Sequence, residues 1–203
     1  MNFKFGSVML TNCIIACISS SITIIWLEIN KHKKPKDSIK VLIYKPLKKK
    51  NCFCRASFNI QCGNVNCSSV NTKHIIDCLN NAKNSIDICV FSLSNEILAS
   101  TICNAYSRGV VVRLIVSNCL LIHCKEIKLI NSLKIPMKYQ KNSHKYMHHK
   151  FCIVDSTNLI TGSMNWTHQA TFDNWEHVLI TTQSDIVSEF SNAFEKMWLT
   201  IEL

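Results

Sequence analysis

From His74 to the C-terminus the sequence switches repeatedly between two hydrophobic periods, and this alternation limits the fold more than any other feature. "HIIDCLNNAKN", from His74, spaces its apolar residues as one face of a helix, and "SIDICVFSL", from Ser85, reads as a buried strand. "NEILASTICNAYSRG" returns to the helical period and stops at Gly109, and "VVVRLIVS" is a β-branched strand. "KEIKLINSLK" predicts a helix and "PMKYQ" a short strand opened by Pro136. "KFCIVD" and "NLITG" predict two strands joined by a tight turn at Ser156 to Asn158. "NWEHVLITT" predicts another strand, and "SDIVSEFSNAFEKMWLTI" an amphipathic helix capped by Ser184. The class is α/β, with a sheet flanked by helices. Four glycines and three prolines in 203 residues leave little room for long flexible linkers.

The first third is organised differently. Ser7 to Ile29 is mostly apolar, has no Lys or Arg, and is long enough to cross a bilayer as a helix. "KHKKPK" follows at once, and only Lys4 precedes it, so charge favours the C-terminal side and places the body in the cytosol. A cleaved secretory signal is the rival reading, but the apolar run continues through Trp26 and Leu27. The expected organisation is an anchor over 1–30, a basic linker over 31–50 and a catalytic domain over 51–203. The formal charge of +10 predicts attraction to nucleic acid or anionic lipid. Of 12 cysteines, Cys78, Cys89, Cys103 and Cys152 lie in apolar stretches. That placement suits buried thiols in a reducing compartment better than a disulfide framework.

The chemistry gathers in "YMHHKFCIVDSTNLITGSMNWT", residues 146 to 167. On a strand, His148 and Lys150 fall on one face and His149 on the other. The hairpin returns Gly162 and Ser163 beside them, with Asn165 just beyond. An imidazole surrounded by ammonium, hydroxyl and amide donors fits a phosphate ester. The spacing His148-x-Lys150-(x)4-Asp155-(x)6-Gly162-Ser163-x-Asn165 resembles the HKD signature of the phospholipase D superfamily, in its single-motif, Zucchini-type branch. "NWEHVLIT" adds Asn174 and Glu176, which resemble the polar pair on the next family strand.

The resemblance implies a phospholipase D-like mixed sheet flanked by helices, behind an N-terminal transmembrane helix. It implies metal-free catalysis by His148, Lys150, Asp155, Asn165 and Glu176. His148 attacks phosphorus to give a phosphohistidine. Lys150, Ser163 and Asn165 bind the phosphate oxygens, Glu176 supports an imidazole, and Asp155 is expected to tether the strand end. "HCKEIKLI", from His123, lacks the rest of the motif, so each chain supplies one half-site and a homodimer is expected to supply the second histidine.

Cys52, Cys54, Cys62 and Cys67 lie within sixteen residues, with His74 following. The resemblance implies a structural zinc in an insertion at about 52–74, with His74 an alternative ligand. Free or paired thiols are the other reading. For substrate, single-stranded RNA cleavage in piRNA biogenesis comes first, and hydrolysis of an anionic phospholipid, cardiolipin to phosphatidate, stands close behind. The implied site is the mitochondrial outer membrane, single-pass. A catalytically inert, membrane-tethered RNA-binding scaffold is the non-enzymatic alternative.

Overall fold

A computed structural model describes residues 37–46, 67–117, 124–139 and 146–201. The expected anchor, and Cys52, Cys54 and Cys62, lie outside the described residues. No helix among the described residues is long and apolar enough to cross a membrane.

The compact unit begins at Asp37. Its strands are β1 (Ile39–Tyr44), β2 (Ser85–Val90), β3 (Leu93–Ser94), β4 (Val111–Val116), β5 (Met137–Tyr139), β6 (Lys150–Val154), β7 (Asn158–Gly162), β8 (Trp166–Thr167) and β9 (Glu176–Thr181). Its helices are α1 (Ser68–Asn81), α2 (Glu96–Ser107), α3 (Lys125–Ser132), α4 (His168–Phe172) and α5 (Ser184–Thr200). Seven strands form one mixed sheet in the order β1-β9-β7-β6-β2-β4-β5. The β2-β4-β5 side is parallel and the rest antiparallel. β3 and β8 pair separately in parallel.

Alternation along the strands fills both faces of this sheet. Ile88, Leu114, Cys152, Ile160 and Val178 join residues of α1 to α4, including Ile75, Leu79, Leu98 and Ile102, in the larger core. Cys89, Ile115, Phe151, Ile153 and Leu159 meet Val187 and Phe194 of α5 on the other face. Burying side chains of this size contributes about 1.5–3 kcal/mol each. Arg113 fastens α5 to the sheet. Its guanidinium donates to both oxygens of Asp87, at 2.7 and 2.9 Å, and to Glu195. The same group lies over the rings of Phe194 and Trp198, at 4.9 and 5.3 Å from their centroids.

Cys89 and Cys152 are wholly buried and Cys103 nearly so, as unbridged thiols; burial pushes the Cys89 thiol up to about 12. Cys78 is half-buried. Three local expectations change. Ile39–Tyr44, within the stretch read as linker, is the edge strand paired with β9. Its Leu42 and Tyr44 are buried, which ties it to the core. Gln183, not Ser184, is the N-cap of α5; Ser184 begins the helix and its hydroxyl meets Asp185 instead. α1 starts at Ser68, six residues before the predicted helix.

Candidate active site

Antiparallel pairing brings four strand ends together along one end of the sheet, its edge in the direction of the strands. β6 starts at Lys150 opposite Val90, the last residue of β2. β7 ends at Gly162 opposite Val178, and β9 starts at Glu176. Gly162 is required at this crossing. A Cβ there would lie 2.1 Å from the His177 carbonyl oxygen and 2.9 Å from the Val178 Cα, so only the bare backbone fits.

At that edge the Lys150 ammonium lies 3.0 Å from His148 Nδ1 and 3.3 Å from Nε2, and donates to the His148 carbonyl at 2.7 Å. Both ring nitrogens lie within reach of the ammonium, and the tautomer decides which of them can accept from it. His148 is exposed, so a substrate can reach it. Burial holds the Lys150 amine below its usual range, against the opposing pull of the Glu176 carboxylate. A partly desolvated cation is a stronger oxyanion partner than one in water.

Glu176 is held on both oxygens. The Ser163 hydroxyl donates to one, and Asn174 Nδ2 donates to the other at 3.0 Å. Ser163 Oγ also accepts from the His177 N–H at 3.1 Å, so its proton serves the carboxylate in this structure. Asn165 sits in the loop after β7. That loop hangs from the end of β2 through Trp166 N–H to Ser92 O, at 3.0 Å. Its buried Oδ1 has no hydrogen-bond partner among the described residues. An unmatched buried polar atom costs about 1–3 kcal/mol, which a bound ligand can recover. The amide turns about its terminal torsion, so the same position can offer its NH2 to an oxyanion.

The structure separates two other histidines from this cluster. His149 turns to the opposite face, its ring 5.5 Å from that of Phe151. His74 lies far along the chain on α1, with Nδ1 3.4 Å from the Lys40 ammonium. Asp155 does not join the pocket either. It follows the last residue of β6, at the other end of the sheet, and accepts from the backbone N–H groups of Lys83, Asn84 and Ser85 at 2.9, 2.6 and 2.9 Å. Burial raises its carboxyl, but these three donors outweigh it and hold the group below its usual range. Although grouped with the catalytic residues by the motif, Asp155 is a clamp here.

For the metal, Cys67 is a buried residue at the N-cap of α1. His74 stands seven residues on, about 10 Å along the helix axis at 1.5 Å per residue, beside an ammonium that disfavours a second cation. No group of three or more His, Cys, Asp or Glu suited to a metal occurs among the described residues. A cleft of about 380 Å³ lined by Lys40, His74, Asp77, Cys78 and Asp155 opens at the clamp end. It too sets an imidazole beside an ammonium, His74 and Lys40, but Ser163, Asn165 and Glu176 do not line it.

Phe91 was not legible as a site residue. Its ring lies 4.7 Å from that of His148 and 5.3 Å from Lys150 Nζ. In sequence it is one more apolar residue after a strand, and no local signal separates it from the core.

Residues 75–198 match the family described as cardiolipin synthase, PLD-like domain. A mitochondrial cardiolipin hydrolase of Xenopus tropicalis is 40% identical over 118 residues, 58% of this chain and 56% of the relative. The protein of the same name from Homo sapiens is 40% identical over 119 residues, 58% of this chain and 46% of the relative. The match thus spans about half the length of these curated relatives. Among solved structures, Nuc from Salmonella typhimurium, a phospholipase D family member, superposes with a TM-score of 0.64 at 19% identity, covering 82% of this chain and 97% of that one. NucT from Helicobacter pylori gives 0.58 at 21% identity, with 82% and 97% covered. The fold is therefore the phospholipase D-like mixed α/β fold, and the chain belongs to the PLD-like domain family.

Proposed function

We propose that this protein is a phospholipase D-type phosphodiesterase whose nucleophile is His148. The observation that carries the reading is the Lys150 ammonium 3.0 Å from the His148 ring, on a solvent-open sheet edge backed by Glu176. In the first step the imidazole lone pair forms an N–P bond as the P–O bond to the leaving group breaks. The leaving oxygen takes a proton from a second imidazole. Water then attacks phosphorus, the N–P bond breaks, and the second imidazole removes the proton from that water. Lys150 and the Asn165 amide stabilise the charge on the non-bridging oxygens, each donor contributing about 2.7–4 kcal/mol in comparable sites.

His149 faces away, so the partner subunit's His148 is the proposed second imidazole, in a two-fold homodimer. The two rings would titrate as a coupled pair. The chemistry needs no metal ion. A structural zinc on Cys52, Cys54, Cys62 and Cys67 is proposed separately; the position of His74 beside Lys40 supports leaving it out of that set.

For substrate, the names of the curated relatives support cardiolipin, cleaved to phosphatidate. A second reading, single-stranded RNA in piRNA biogenesis, is supported by the charge of +10 and by two aromatic rings near the site. Tyr146 and Trp175 are 72% and 73% exposed and offer faces on which bases can stack. The relatives' names support a mitochondrial location, and the apolar Ser7–Ile29 segment with its basic flank supports single-pass attachment with the catalytic domain in the cytosol, which we assign to the outer membrane.

The test is the purified full chain assayed side by side on cardiolipin vesicles and 5′-labelled single-stranded RNA, with His148→Asn as control. Cleavage of either substrate that vanishes in the variant supports the enzyme and selects the substrate. Cleavage unchanged in the variant overturns the site, and RNA binding without cleavage of either substrate supports the inert scaffold.

A further inference from the structure

Tyr146, His148 and Lys150 alternate along the chain, and one ring touches all three. The Phe91 centroid lies 6.3 Å from the Tyr146 ring, 4.7 Å from the His148 ring and 5.3 Å from Lys150 Nζ. Phe91 sits just past the end of β2, and its N–H donates to the His149 carbonyl at 2.9 Å, which fixes its backbone against the segment entering β6. The ring is thus attached to the sheet on one side and covers the reactive stripe on the other.

Three physical consequences follow from that placement. A ring packed against an imidazole at a 55° tilt limits the rotations open to His148. The electron-rich face attracts the ammonium and holds it near the same spot. The hydrocarbon also keeps water from one side of both groups, which strengthens their interaction with a phosphate between them. Without the ring, the exposed His148 and the half-buried Lys150 would sample other rotamers at little cost.

We propose that Phe91 is a positioning residue for phosphodiester cleavage, holding His148 and Lys150 side by side in the geometry that attack on phosphorus requires. This rests on the reading of His148 as nucleophile. The role belongs to the aromatic face and not to apolar bulk alone, so Leu cannot replace it and Tyr can.

The test uses the full chain with bis(p-nitrophenyl) phosphate, a soluble phosphodiester that needs neither a membrane nor an RNA groove. Phe91→Leu is expected to lower kcat by about tenfold to 100-fold, the range that small misplacements produce, with KM and the thermal midpoint nearly unchanged. Phe91→Tyr is expected to recover most of that loss. Wild-type kcat in Phe91→Leu overturns the inference. So does a kcat that falls together with the thermal midpoint and is not recovered by Tyr, because that pattern describes a packing role only. His148→Asn separates the two claims. If it cleaves normally, the nucleophile reading fails; if it is inactive while Phe91→Leu is fully active, only the positioning role fails.

Discussion

Lys150 and Asp155 bracket the same short strand and belong to the same sequence motif, yet their surroundings differ in kind. At the Asp155 end the carboxylate is saturated by the backbone N–H groups of three consecutive residues, Lys83 to Ser85. At the Lys150 end the groups are poised and incompletely matched. His148 is exposed, Lys150 is partly desolvated, and a buried oxygen of Asn165 has no partner among the described residues. Saturated polar groups stabilise a fold, and unsaturated ones hold capacity for a ligand. One motif therefore supplies both a saturated clamp and an incompletely matched cluster, and the backbone pairing of β6 keeps them at opposite ends.

The contrast can be broken in order of effect. Lys150→Ala should lower kcat by about 100-fold or more, since it removes an oxyanion partner, while the unfolding midpoint in urea stays near wild type. A large loss of stability with little loss of rate would reverse the assignment of the two ends. Gly162→Ala should cost about 3 kcal/mol of stability, because the added methyl meets backbone that cannot move aside. Denaturant titration of the variant checks this, and a wild-type midpoint would show that the crossing of β7 and β9 is looser than described.

Asp155→Asn should cost about 2 kcal/mol by weakening three charge-assisted hydrogen bonds, with kcat per folded molecule changed less than about twofold. The pH dependence sharpens this. The folded-state carboxyl is held below its unfolded value, so its contribution is fully present above about pH 4 and is lost as pH falls through the folded value. Stability of wild type and variant measured from neutral to acid should therefore converge below about pH 4. A gap that persists into acid would point to packing instead of charge. The smallest effect belongs to His149→Ala, expected to alter kcat by less than about twofold, since its ring faces Phe151 and not the site. A loss as large as that of His148 would place the wrong histidine at the reaction centre.

The reactive edge was more legible than the frame that supports it. His148, Lys150, Ser163 and Glu176 stand out because polar groups recurring at the ends of apolar strands are costly to place there unless a ligand or a partner matches them. The β6-β7 hairpin and the helix that Asn95 caps, with Oδ1 accepting from Ile97 and Leu98, follow from local chemistry. Ile39–Tyr44 did not announce itself. Its neighbours are lysines, and as an edge strand it leaves Ile39, Val41 and Ile43 at least half exposed, so burial gives only a weak alternation. The β3-β8 pairing joins two-residue segments more than seventy positions apart, a distance at which sequence period carries no information. Phe91 was hidden for a related reason. Its importance comes from a ring laid across three residues of another segment, and only the folded chain shows that arrangement.

The central claim, that His148 at the open edge forms the covalent bond to phosphorus, has a direct test. Wild-type protein is mixed with substrate, quenched under alkaline denaturing conditions that preserve phosphohistidine, digested, and analysed by mass spectrometry. A phosphoryl-type adduct is expected on the peptide containing His148 during turnover, and is expected to be absent in His148→Asn. Full turnover with no adduct on that peptide, or with the adduct on another residue, would contradict the claim.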